Sequence, residues 1–195
     1  MKRLDLVVGP NGAGKSTFIA LTLAPLLPGS VFVNADEIAK VRWPDDPEGH
    51  SYDAARVAAD TRNALIADGR SFIAETVFSH PSKLELIERA HAAGYIVVLH
   101  AVLIPEALAV ERVAHRVRAG GHRVPEVKIR ERYRRLWPLV GRAAHRCDSA
   151  TAYDNSRSKG PRIVAQSNGG QLTGQLAWPA WVPTELRASW PSGPR

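Results

Sequence analysis

Cysteine is almost missing from this 195-residue chain, and that scarcity alone removes two classes of protein. The single Cys147 cannot form an internal disulfide or a cysteine-rich zinc site, so the fold must rest on its core, as in a reducing compartment. The bland reading of Cys147 is a buried helix residue. No apolar run approaches the roughly 20 residues of a membrane span. The N-terminus leads straight into a strand and a glycine turn, without the apolar stretch of a signal peptide, so the expectation is a soluble, cytoplasmic protein. Internal repeats and low-complexity tracts are also lacking, which excludes fibrous and disordered classes. Carboxylates are outnumbered: Asp and Glu total 19 against 26 Lys and Arg, a net charge of +7. That surplus suits a nucleic-acid binder and equally an enzyme that holds polyphosphates. Composition does not choose between them.

What is present is a regular alternation of strand-like and helix-like segments. Leu4–Val8 reads as a strand entering a glycine turn, followed by a helix from Gly14 to about Ala24, closed by Pro25 and Pro28. Val31–Val33, Ser71–Glu75, Tyr95–Ile104 and Ala150–Tyr153 read as further strands. Helices are predicted over His50–Asp68, from Ser82 to Gly94 with Ser82 and Glu85 as a capping box, over Pro105–Ala119, and from Pro125 to about Arg146. Arg162–Gln166 and Gln171–Gln175 flank Ser167-Asn168-Gly169-Gly170, a hairpin signal. The last twenty residues carry Trp178, Trp181 and Trp190 with four prolines and no period, and either wrap the domain or dangle. The alternation predicts an α/β fold with a mostly parallel sheet and helices on both faces.

The strongest motif is Gly9-Pro10-Asn11-Gly12-Ala13-Gly14-Lys15-Ser16-Thr17, which satisfies G-x-x-x-x-G-K-[ST] between a strand and a helix. Backbone N–H groups of such a turn converge on phosphate oxygens. The predicted nucleotide-binding set is Gly9, Asn11, Gly12, Ala13, Gly14, Lys15, Ser16 and Thr17. Lys15 is expected to reach the β- and γ-phosphates of ATP, and the Ser16 hydroxyl to ligate Mg²⁺. The tail segment Ser167–Gln171 superficially matches the signature of transporter ATPases, but no apolar strand ending in Asp-Glu follows it.

A kinase also needs a carboxylate near the acceptor hydroxyl and positive charge over the transferring group. Asp36 lies just past the second strand, where it could take the substrate proton, help hold Mg²⁺, or merely cap a helix beginning at Glu37. Glu75 ends the third strand on the same sheet edge; buried there it calls for a ligand, a metal or a cation, or it forms a structural ion pair. Thr76 and Ser79 are expected to line the same pocket. Arg112 and Arg116 are four apart on one predicted helix, and Arg130 and Arg134 four apart on the next. The pair suggests a helical lid over about residues 105–146. Some of these arginines simply form a solvated basic face.

Taken together, GPNGAGKST, NADEIAK (34–40), AETVFSHPSKLELIERAHAAGY (74–95), ERVAHRVRAGGHRVPEVKIRERYRR (111–135) and YDNS (153–156) make the chain resemble the zeta toxin family of P-loop kinases, in its compact bacterial form. The resemblance covers residues 3 to 165. It implies a three-layer P-loop kinase fold with a helical lid, over residues 1–165, followed by a hairpin and Trp/Pro-rich tail at 166–195. It also implies ATP-dependent phosphoryl transfer to a sugar nucleotide such as UDP-N-acetylglucosamine, a toxin role, and an antitoxin as partner. Asp36 falls at the family's base, Glu75 at its amino-sugar contact and Arg116 at a lid arginine; anchoring a second family arginine on Pro125 puts His122 there, with the catalytic candidate Arg123 one residue on. The second lid cation stays open among His122, Arg123 and Arg130. A related enzyme phosphorylates the adenosine ribose of NAD, so the acceptor varies within the family. The alternative of a different class is an ATP-gated nucleic-acid binder using the Arg-rich segment. Its aromatics are interleaved with arginine only at Tyr133 and Trp137, which argues against base stacking. From Arg112 to Arg146 ten Arg and one Lys meet only Glu126 and Glu131, so the basic excess is local and sits in the expected lid.

Overall fold

Alternation along the first strand sets the layers of the molecule. In β1 (Arg3–Val8) Leu4, Leu6 and Val8 join one core and Val7 joins another on the opposite face of the sheet. The computed structural model describes residues 1–119 and 124–193. Its sheet runs β2 (Val31–Asn34), β3 (Phe72–Thr76), β1, β4 (Ile96–Leu103) and β5 (Ser149–Asp154), all parallel; β6 (Arg162–Asn168) and β7 (Gln171–Thr173) add on antiparallel. β1 lies at the centre, with Val8 paired to Thr76 on one side and Ala101 on the other. The chain leaves β1 toward β2 and later passes from β3 across to β4. The β1 end is therefore the switch point where open α/β sheets bind ligands.

Helices cover both faces, as the alternation predicts. α1 starts at Lys15–Phe18, continues as a π turn over Ile19–Leu23 and closes as a 3₁₀ turn over Ala24–Leu26, with Pro25 inside that last turn rather than after it. With α5 (Glu106–Arg118) it buries Phe18, Ile19, Ala109 and Val113 against Val7, Val102 and Ile104. α3 (Ser51–Ala67), α4 (Ser82–Ala92) and α6 (Glu126–Arg146) cover the other face through Leu65, Leu84, Ile87, Leu136, Trp137 and Val140. α2 (Ala35–Arg42) leads from β2 toward α3. Ser82 does not form the predicted capping box: it is the first helical residue, and its N–H and hydroxyl are engaged by the Nδ1 of His80. An imidazole two residues upstream outcompetes the Glu85 carboxylate because it already faces the helix start.

The hairpin turn is tighter than the sequence pattern suggests. Ser167 and Asn168 belong to β6, and Gly169 and Gly170 alone turn the chain, with φ of +54° and +73°. Two consecutive positive φ values are what a two-residue hairpin requires. The Trp-rich tail wraps the domain. α7 (Thr184–Ser189) packs on α6, where a Cβ on Gly141 would run into the Ser189 side chain. Val182, Leu186 and Trp190 join the same core as α6, and Trp178 meets Trp190 edge to face at 5.6 Å.

One buried ionic group lies under α1. Asp5 accepts two hydrogen bonds from the Arg3 guanidinium (2.7 and 2.8 Å) and one contact of 2.9 Å from His100 Nε2. Burial alone would raise its proton affinity, yet these partners outweigh burial and hold the carboxyl below the usual range.

Candidate active site

The glycine loop takes its shape from backbone that only glycine tolerates. Gly12 and Gly14 have φ of +76° and +83°, and Gly12 lies against α5, where a Cβ would come within 3.0 Å of the Ala109 carbonyl. Gly14 caps α1, so the first helical N–H groups face the loop mouth. Asn155, just past β5, donates from Nδ2 to the Ala13 carbonyl at 2.8 Å, and its own N–H bonds the Leu103 carbonyl. Asn155 thereby ties the loop to the sheet. Sequence reasoning assigned it no role, although a polar side chain directly after a core strand was the available signal.

Lys15 is buried and folded back, with Nζ donating to Pro10 O at 3.1 Å and lying 3.7 Å from Glu75 Oε1. Burial lowers its pKa, with the nearby Arg116 charge adding to that; Glu75 and Asp36 pull the other way. Glu75 is the hub. One carboxylate oxygen, Oε2, accepts from the Ser16 hydroxyl at 2.8 Å and from Asn34 Nδ2 at 2.9 Å. Asn34 then accepts from the Asp36 N–H at 2.7 Å through its Oδ1. Asn34 is thus the cap of α2, which begins at Ala35; the predicted helix start at Glu37 with Asp36 as cap is corrected. An Asx side chain one residue before the helix satisfies the first free N–H better than Asp36 can from inside the first turn. That frees the Asp36 carboxylate, which is exposed at the sheet edge.

The remaining predicted residues fall around this hub unevenly. Thr76 ends β3 beside Glu75, but its Oγ1 accepts from the Phe78 N–H at 3.2 Å, which turns it toward its own loop. Phe78 is fully buried with φ of +64°, so this loop is held in a conformation that non-glycine residues rarely adopt. Arg116 on α5 is half-buried and close enough to act on the Lys15 charge. Arg130 on α6 is drawn instead to Glu126 (2.8 Å) and Glu106 (3.3 Å). His122 and Arg123 lie outside the described residues. Thr17 is exposed on α1.

Among the described residues no three His, Cys, Asp or Glu side chains cluster as a metal-binding group. Ser16 and Glu75 nevertheless present a hydroxyl and a carboxylate side by side. That donor set suits Mg²⁺, which takes few protein ligands and fills its octahedron with phosphate oxygens and water.

A family description of the zeta toxin matches residues 1–159 of the chain. The chain belongs to the zeta toxin family. Among solved structures, this zeta toxin family member is similar to a chain of the AvrRxo1-ORF1:AvrRxo1-ORF2 complex with sulphate ions (16% identity, 98% of this chain and 64% of that one, TM-score 0.70). It is also similar to a chain of the PezAT chromosomal toxin-antitoxin system of Streptococcus pneumoniae (13% identity, 85% and 72%, TM-score 0.62). A third similarity is to shikimate kinase from Acinetobacter baumannii in complex with shikimate (22% identity, 73% and 80%, TM-score 0.51). At these identities the likeness establishes the α/β P-loop kinase fold. This family member spans less than two thirds of the AvrRxo1 chain. Comparison with curated protein sequences finds no match. No helix among the described residues is long and apolar enough to cross a membrane.

Proposed function

We propose that this zeta toxin family protein is an ATP-dependent kinase that transfers the γ-phosphoryl group to a hydroxyl of a small molecule in the cytoplasm. The observation that carries this is the polar chain on one sheet edge: Lys15 forms an ion pair with Glu75, Ser16 and Asn34 donate to Glu75, and Asn34 accepts from the backbone N–H of Asp36, whose exposed carboxylate stands beside the phosphate loop. A mere nucleotide binder has no need of that second carboxylate.

In the reaction, ATP phosphates draw Lys15 away from the Pro10 carbonyl, and the loop N–H groups and α1 terminus hold the β- and γ-phosphates. Ser16 and Glu75 would hold Mg²⁺, which neutralises charge between the phosphates. Asp36 orients the acceptor hydroxyl and accepts its proton as the oxygen bonds to the γ-phosphorus. The bond to the β–γ bridging oxygen breaks and ADP leaves. Arg116, with a second lid cation among His122, Arg123 and Arg130, balances the charge on the transferring group.

For the acceptor we propose a sugar nucleotide of the UDP-N-acetylglucosamine kind, positioned by Glu75 and by the Thr76 hydroxyl, which accepts from the Phe78 N–H and keeps its own O–H to donate; the family resemblance supports this. An antitoxin partner is proposed on the same footing, together with the similarity to a toxin-antitoxin chain. The test is incubation with ATP, Mg²⁺ and a panel of sugar nucleotides and dinucleotides. At least one acceptor is expected to turn over, and Lys15→Ala and Asp36→Asn each to lower kcat/KM by about 10³-fold or more. No turnover of any acceptor, with both variants indistinguishable from wild type, would refute the proposal. Expression toxicity relieved by Asp36→Asn would support the toxin role, and growth equal to an empty control would count against it.

A further inference from the structure

One of the five tryptophans stands apart from the core. Trp137 and Trp190 are buried in the larger core and Trp178 and Trp181 pack on it, whereas Trp43 joins neither of the two core clusters formed by the described residues. Its ring is stacked instead on His50, with centroids 4.8 Å apart and planes within 6° of parallel. Trp43 directly follows α2 and His50 directly precedes α3, so the stack closes the loop 43–50. The His50 ring is itself held in place. Its Nδ1 lies 3.0 Å from one carboxylate oxygen of Asp53, and Arg56 donates to the other at 2.7 Å. The His50 side chain nevertheless keeps 40% of its surface open, and Trp43 is only partly covered. A clamp between two helices needs apolar bulk. It does not need a wide aromatic plane that a chain of polar contacts orients and that water can still reach.

The position of Trp43 along α2 gives this plane a use. Its N–H still makes the helical bond to the Ala39 carbonyl at 2.9 Å, so Trp43 keeps the register of α2. Asp36 stands seven residues earlier, which is two turns: the same side of the helix, about 10 Å along its axis. Lys40 falls between them on that side, four residues after Asp36 and three before Trp43, spacings that bring Cβ atoms to about 5–6 Å of each other. Lys40 is paired with Glu37 at 2.7 Å, with both side chains more than half exposed, and a polyvalent anion displaces such a pair at little cost. This side of α2 therefore presents, in order, a carboxylate, a cation and an aromatic plane. A nucleoside diphosphate sugar carries the matching groups in the same order: a hydroxyl, a diphosphate and a base.

We propose that Trp43, oriented by His50, is a stacking platform for the base of a nucleotide-linked acceptor, with Lys40 meeting its diphosphate. The assignment of the ligand as the acceptor rests on the kinase reading, in which Asp36 receives the reacting hydroxyl; the platform rests on the ring geometry. Stacking on an aromatic plane tolerates any base. The platform thus selects a nucleotide-linked sugar over a free sugar or sugar phosphate, and leaves the choice among bases to other contacts.

The platform is tested with protein saturated by Mg²⁺ and a non-hydrolysable ATP analogue, so that the phosphate loop is filled, and uridine diphosphate as the probe. The probe is expected to quench wild-type tryptophan emission saturably and to leave the emission of Trp43→Phe unmoved. By calorimetry Trp43→Phe is expected to bind the probe nearly as well as wild type, because a smaller ring still stacks, and Trp43→Leu about tenfold or more weaker. Inorganic pyrophosphate, which has no base, is expected to bind wild type and Trp43→Leu alike. Absence of quenching, or equal affinity of wild type and Trp43→Leu for uridine diphosphate, would overturn the platform. Quenching by the ATP analogue alone that is lost in Trp43→Phe would assign the plane to the base of ATP and overturn its assignment to the acceptor. In the second arm, whichever nucleotide-linked acceptor turns over is expected to show a KM raised about tenfold or more by Trp43→Leu, restored by Trp43→Phe, at nearly unchanged kcat and KM for ATP. A merely structural clamp would instead lower kcat and the melting temperature together and leave the KM for the acceptor in place, and that result would also overturn the proposal. Absence of turnover of every acceptor, with the Trp43-dependent quenching intact, would strike the kinase reading and leave the platform standing.

Discussion

Two asparagines do work here that carboxylates and lysines usually receive credit for. Asn34 links Glu75 to the first turn of α2, and Asn155 fixes the Ala13 carbonyl. Replacing Asn155 by Ala removes a half-buried hydrogen bond worth about 1 kcal/mol in stability. Its larger effect is expected in function, since a loose Ala13 peptide misplaces the N–H groups that receive phosphate. Asn155→Ala should raise the KM for ATP about tenfold while the melting temperature falls by only a few degrees. Asp5 makes the complementary case. Its carboxyl is depressed in the folded chain, so the stabilisation it contributes is present above the unfolded value near 3.9 and is lost as pH falls through the lower folded value. Asp5→Asn leaves Arg3 and His100 facing a neutral group, and should cost about 3 kcal/mol at neutral pH. Melting curves of wild type and variant should converge below pH 4. A gap that stays constant with pH would contradict the depressed carboxyl.

Helix and strand positions were mostly legible because period and punctuation coincide along this chain. The apolar run at β4, the glycines at 69 and 94, and the prolines at 105 and 125 each mark a boundary that local chemistry enforces. Where prediction slipped, a neighbour in space or in sequence competed for the same donor: His80 for the Ser82 N–H, and Asn34 for the Asp36 N–H. The tail could not be read because its tryptophans have no period of their own; they fill a surface that α6 provides. Gly141 is what lets α7 approach that surface. Gly141→Val should push Ser189 away, expose Trp190 and cost about 1–3 kcal/mol, seen as a lower melting temperature and faster proteolysis after residue 177. A variant as stable and protease-resistant as wild type would show that the tail docks without this close approach.

Across the whole molecule the charge excess is less available than its count suggests. Within the basic stretch Arg130 pairs with Glu106 and Glu126, Arg135 with Glu131, and Arg146 with Glu88. A nucleic-acid footprint needs a continuous row of free cations, and these pairs interrupt it. Duplex DNA is therefore expected to bind weakly and without dependence on ATP; tight binding gated by ATP and falling steeply with salt would reverse the ranking of the two functions. By itself the sequence determined the phosphate loop, the strand-helix alternation and the two carboxylates at strand ends, because each depends on residues adjacent in the chain and on backbone geometry that glycine, proline and capping groups impose locally. Only the tertiary structure decided that Glu75 joins Lys15, Ser16 and Asn34, and that the tail closes over α6. Those arrangements bring together residues from separate elements, and burial sets their energies once the sheet and its helices have packed.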